Sequence, residues 1–67
     1  MNAANVLSAR ERQVARYVVF GMRNTEVASK LSISPHTVRT HMYRIFRKLG
    51  IESRHELAGY ALESGII

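Results

Sequence analysis

The chain has 67 residues, which allows one small domain and leaves no space within it for a separate sensor or catalytic domain. It contains no cysteine, which excludes disulfides and thiolate metal sites, and no apolar run near the ~20 residues that a membrane-spanning helix needs. Ten lysines and arginines stand against five acidic residues, all glutamates, and the resulting formal charge of +5 points to a polyanionic partner.

In chain order, Met1-Asn2-Ala3-Ala4-Asn5 has neither the basic region nor the apolar stretch of a secretory signal. Residues 1–6 are expected to be an N-terminal extension, residues 7–67 the domain, and the compartment the cytoplasm. Leu7 to Phe20 reads as the first helix. Ser8 and Glu11 match the S-x-x-E capping box, in which each side chain satisfies the other's backbone N–H. Val14, Ala15, Val18 and Val19 recur at spacings of three and four and form one apolar stripe. Gly21 follows, where a helix end favours positive φ.

Asn24 is a good N-cap for a short second helix, with Glu26 in its first turn and Val27, Ala28 and Leu31 on the buried face. Ser32-Ile33 breaks it, although neither residue demands a sharp turn. Ser34-Pro35 is the clearest start signal in the chain. Proline at the first helical position gives up an N–H that would be unpaired anyway, and it pushes Ser34 into the extended conformation of an N-cap. The third helix is expected over 35–49, ended by Gly50. Ser53 and Glu56 form a second capping box, opening a fourth helix over 54–64 that Gly65 closes. With no strand-like alternation, the fold class is all-α, four helices with short connections.

The third helix carries two different faces. At about 100° per residue, Val38, Met42, Ile45 and Leu49, with Phe46 beside them, point to a core. His36, Thr40, Tyr43 and Arg47 lie opposite, with Arg44 next to them, Arg39 on one flank, and Thr37 and Lys48 on the other. This outward face has no acidic residue and makes no Glu–Lys pair one turn apart. One-sign charge on a helix costs self-repulsion, and phosphates recover that cost. A solvated basic face is the plain alternative. The preceding Val27-Ala28-x-x-Leu31-x-Ile33, then Ser34-Pro35-x-x-Val38, shifts the balance, because a short helix, a tight turn and a longer helix make a helix-turn-helix.

These residues resemble the LuxR-type, or GerE-type, helix-turn-helix domain. The matching positions are Leu7-Ser8-x-Arg10-Glu11, Gly21-x-x-Asn24-x-Glu26-Val27-Ala28-x-x-Leu31, Ser34-Pro35-x-Thr37-Val38-Arg39-x-His41, Ile45-x-x-Lys48-Leu49-Gly50 and Ser53-Arg54. The resemblance implies a four-helix, sequence-specific DNA-binding domain of a bacterial transcription regulator. It implies that Arg39, Thr40 and Tyr43 face bases and that Asn24, Thr37 and Lys48 meet phosphates. The outward face adds His36 and Arg47 to the first set and Arg44 to the second. Tyr43 departs from the polar or basic residue often found at its position, and it can donate one hydrogen bond or pack on a thymine methyl. Such domains usually follow a receiver or ligand-binding domain, but a receiver needs a phospho-accepting aspartate and these residues include none. Gly65-Ile66-Ile67 resembles the family's natural C-terminus.

The resemblance also implies a dimer through the last helix. There Leu57, Ala58 and Ala61 face the domain's own core, and His55, Gly59 and Leu62 form an adjacent outward stripe. Gly59, in mid-helix, is explained either by a close partner backbone or by tolerance of a marginal C-terminal helix. The expected partners are double-stranded DNA and a second copy of the chain, at least on DNA, with RNA polymerase a further candidate. His41 reads as a packed, hydrogen-bonded histidine. His36, His41 and His55 have no ligand spacing, so no metal or cofactor is expected. There is no nucleophile–base constellation and no phosphate loop, so no enzyme is expected either. The rival readings are the fourth region of a sigma factor, which carries a similar helix-turn-helix, and a helical protein-interaction module, which needs an apolar patch instead of a basic face.

Overall fold

A computed structural model describes residues 6–64. Within them lie four helices: α1 (Ala9–Val19), α2 (Asn24–Leu31), α3 (Pro35–Leu49) and α4 (Arg54–Ser64). The roles expected of Gly65 and of Gly65-Ile66-Ile67 lie outside the described residues, as does nearly all of the N-terminal extension.

Both capping boxes form. Ser8 Oγ accepts from the Glu11 N–H at 3.1 Å, and Glu11 Oε1 accepts from the Ser8 N–H at 2.8 Å. Ser53 Oγ accepts from the Glu56 N–H, and Glu56 Oε2 accepts from the Ser53 N–H, both at 3.1 Å. The first helix is shorter than the expected 7–20. Leu7 precedes the cap and is buried in the core, and Phe20 is the C-cap. Gly21, at φ +94°, donates to the Val18 carbonyl, and Met22 donates to that of Tyr17. This paired closure needs the positive φ that glycine supplies without strain.

The second helix differs in two details. Its N-cap is Arg23, not Asn24, because Glu26 Oε1 takes the Arg23 N–H at 2.9 Å and so begins the helix one residue earlier. Asn24 is the first helical residue, and its side-chain oxygen is used elsewhere. The helix ends on Ser32 at φ +56°, where the Ile33 N–H reaches back to the Ala28 carbonyl. The sharp turn that the residues themselves did not demand is therefore made by a serine in the left-handed region, at a conformational cost of about 1–3 kcal/mol. The third helix starts as expected: Ser34 is extended, its Oγ accepts from the Thr37 N–H, and Pro35 occupies the first turn. Gly50 closes it at φ +68°.

Each helix sends at least one fully buried side chain to a common core: Val14 from α1, Val27 from α2, Val38 and Ile45 from α3, and Leu57 from α4. Ala15, Ala28 and Ala61 are buried in the same core. Leu31, Phe46 and Leu49 pack at the edge of this core and stay partly exposed. The fourth-helix assignment holds, with Leu57 and Ala61 buried and Ala58 half-buried. α1 packs on all three other helices, and α3 lies against α1 and α2.

Glu11 is the one buried charged or polar residue among those described. Its Oε1, besides closing the cap of α1, accepts from Lys48 Nζ at 2.7 Å; the carboxylate side chain is 5% exposed and that of Lys48 39%. Burial by itself would raise the Glu11 pKa. Hydrogen bonds from Lys48 and Ser8, with the Lys48 charge, outweigh it, and the pKa falls below its ordinary 4.5. A depressed folded-state pKa gives stability that is present above pH ~4.5 and lost as pH falls through the lower folded value. Lys48→Met leaves the Glu11 carboxylate buried without its cation, at an expected cost of about 1–3 kcal/mol at pH 7. The gap between wild type and variant should narrow as pH falls and close only once pH has passed below the lowered folded-state pKa of wild-type Glu11, where the carboxylate takes a proton in both. Urea unfolding followed by circular dichroism over a pH series from 7 down to well below 4.5 checks this, and a gap unchanged across the whole series would show that Lys48 contributes through packing alone.

Candidate nucleic-acid interface

The outward face of α3 follows from its inward one. Val38, Met42 and Ile45 are buried at spacings of four and three, which fixes the helix's rotation about its axis and leaves the opposite side to solvent. His36, Arg39, Tyr43, Arg44 and Arg47 are exposed there, and Thr37 and Thr40 are half-exposed. The expected outward residues are thus brought together on one helix surface with no acidic side chain of α3 among them.

The polar groups on that surface divide by what they already hold. Arg39 and Arg44 have no side-chain partner among the described residues. Arg47 Nη1 donates to Tyr43 Oη at 3.0 Å, and the guanidinium carbon lies 5.6 Å from the centre of the tyrosine ring. That bond, and the affinity of the phenolic oxygen for a nearby cation, raise the Arg47 pKa, so it stays charged at any working pH. Thr40 Oγ1 donates to the His36 carbonyl at 3.2 Å, leaving its oxygen lone pairs and methyl available. The Thr37 and Ser34 hydroxyls share a hydrogen bond at 2.9 Å.

Two of the expected phosphate contacts have internal partners that the sequence did not disclose. Lys48 holds Glu11, 37 positions earlier, so its charge is partly neutralised within the domain. Asn24 Oδ1 accepts from Arg54 Nη1 at 2.8 Å, and Arg54 Nη2 donates to the Met22 carbonyl at 2.6 Å. Arg54 thereby joins the start of α4 to the approach to α2 and leaves only the donor end of the Asn24 carboxamide unengaged. No local signal marks either pair, since both join residues 30 or more positions apart.

His41 is half-buried, as expected of a packed histidine, but its buried Nδ1 has no hydrogen-bond partner. The hydrogen bond expected of this histidine is therefore not made at Nδ1. On α4 the expected outward stripe is outward: His55 and Gly59 are exposed, and Leu62 is 81% exposed. A Cβ placed on Gly59 would meet nothing, so the domain's own packing does not ask for a glycine there.

Comparison with known proteins agrees with this geometry. Residues 5–61 match the family described as bacterial regulatory proteins, luxR family. Over 64 residues the chain is 34% identical to the uncharacterized transcriptional regulatory protein YxjL of Bacillus subtilis, an overlap of 96% of this chain and 29% of the relative. It is 45% identical over 60 residues to the Fimbriae Z protein of Escherichia coli K12, covering 90% of this chain and 29% of that protein. It is 43% identical over 63 residues to the response regulator GacA of Pseudomonas viridiflava, covering 94% of this chain and again 29% of the relative. The chain thus spans less than a third of the length of these relatives. With four helices among the described residues, a helix-turn-helix at 24–49 and a family match over most of its length, the chain belongs to the luxR family of bacterial regulatory proteins.

Proposed function

We propose that residues 7–67 form the DNA-binding domain of a transcription regulator, reading the major groove of double-stranded DNA with α3 and pairing with a second copy through α4. The observation that carries the reading is the face of α3, where Arg39, Arg44 and Arg47 are exposed and no acidic side chain of that helix offsets them. In a helix-turn-helix the second helix of the motif enters the groove and the first crosses the backbone. Arg39, Thr40 and Tyr43, with His36 and Arg47, then meet base edges. Thr37, Arg44 and the unengaged end of Asn24 meet phosphates. Lys48 adds less to phosphate binding than its charge suggests, because Glu11 already holds it. Such a regulator works in the cytoplasm, beside the DNA, and RNA polymerase is a third partner wherever it activates.

Phosphate contacts release condensed counterions, so affinity falls steeply with salt. A dimer neutralising roughly 6–10 phosphates should lose about 10³–10⁵-fold in affinity between 50 and 200 mM salt. Arg39→Ala should also relax base preference at one position, at a cost of about 1–3 kcal/mol if the guanidinium pairs with a guanine. Fluorescence anisotropy on a duplex selected from a random pool measures both. A flat response to salt contradicts DNA binding through this face.

The α4 half of the proposal rests on Leu62 and Gly59. An exposed leucine beside a glycine that the domain does not need suits the close approach of a partner helix. A two-fold pair would bind a pseudo-palindrome with half-sites about 10 bp apart. The combined variant Gly59→Glu and Leu62→Glu should keep its helical circular dichroism while its binding to a full operator falls toward that for a half-site. Unchanged cooperativity would remove α4 as the interface.

A further inference from the structure

We infer that Tyr43 and Arg47 act as one donor-only recognition unit and that the unit selects guanine. The inference rests on the reading of α3 as the groove-facing helix. Tyr43 is 60% exposed, and one helical turn later Arg47 donates to its hydroxyl oxygen at 3.0 Å while lying 5.6 Å from the ring centre. A guanidinium has five N–H donors and no acceptor, so in this bond the tyrosine oxygen must accept. The hydroxyl's own proton is what remains to be given. An amino group approaching the same oxygen would bring a further donor up against a fixed cation.

The contact therefore offers hydrogen-bond donors side by side, one from the phenol and the others from the remaining guanidinium N–H groups. In the major groove guanine alone presents two acceptors, O6 and N7. Adenine pairs its N7 with an amino donor, cytosine offers an amino donor, and thymine has one acceptor beside a methyl group. The donor pair matches guanine and opposes the amino groups of adenine and cytosine. The hydrogen-bonded guanidinium, within cation–π range of the ring, also restrains the tyrosine and so lowers the side-chain freedom lost when DNA arrives. Packing on a thymine methyl, the other use open to a tyrosine here, does not need a hydroxyl held this way.

The test is selection from a random duplex pool by the full chain, in wild-type form and as Tyr43→Phe, Arg47→Ala and the double variant. Both side chains are exposed, and circular dichroism verifies that each variant folds. The wild type should enrich guanine at one position. Both single variants should lose preference at that same position, by roughly 5–150-fold. The double variant should lose no more than the worse single one, because each substitution already dismantles the unit. The inference is overturned if the two substitutions alter different positions, if their effects add, if the shared position is not guanine, or if Arg47→Ala weakens all sequences equally. A wild-type pool with no enrichment overturns the DNA reading itself, which separates the two failures.

Discussion

The carboxylate of Glu11 ties the beginning of the domain to the end of the helix that faces outward. It accepts from the Ser8 N–H and from Lys48 Nζ, so one buried group closes the cap of α1 and anchors the last turn of α3. A small core leaves little surplus against such a charge, and an unpaired buried carboxylate would take a large share of it. Lys48 meets that requirement while staying partly in water, which keeps its own desolvation small. The apolar row Val38, Met42 and Ile45 sets the rotation of α3, and the ion pair adds a fixed point at its C-terminal end.

That anchoring sorts the cations of α3 into three groups. Lys48 is turned to the domain's own Glu11. Arg47 donates to the Tyr43 hydroxyl and lies within cation–π range of its ring. Arg39 and Arg44 have no internal partner and carry the repulsion that an outside polyanion would relieve. Arg54, which charge counting would add to the same surface, instead holds Asn24 and the Met22 carbonyl and braces the entry to the helix-turn-helix. The net charge of +5 therefore overstates what the outward face of α3 presents, since of the eight arginines only Arg39, Arg44 and Arg47 lie on that helix.

Helix starts were legible because their causes are local. Ser8 with Glu11, Ser34 with Pro35, and Ser53 with Glu56 each act within one turn, and each forms as the sequence indicated. The start of α2 was off by one residue because Glu26 competes with Asn24 for the capping role, and the residue types alone do not say which wins. The turn at Ser32 was not legible, because a serine at positive φ lacks the glycine or asparagine signal that marks such a helix end. The Glu11–Lys48 and Arg54–Asn24 pairs were invisible for a different reason, since periodicity and capping say nothing about side chains 30 or more positions apart. On the candidate interface, the outward set from His36 to Arg47 followed from helical spacing alone. The hydrogen bond between Tyr43 and Arg47 did not, because it depends on rotamers and not on position.

The most direct measurement of the central claim, that α3 is the surface that meets DNA, is an amide chemical-shift titration of the isotope-labelled chain with a half-site duplex. The largest perturbations should map to α3, at His36, Arg39, Thr40, Tyr43 and Arg47, with a second group at the start of α2 around Asn24. Perturbations centred on α4, or spread evenly over every exposed arginine and lysine, would contradict it.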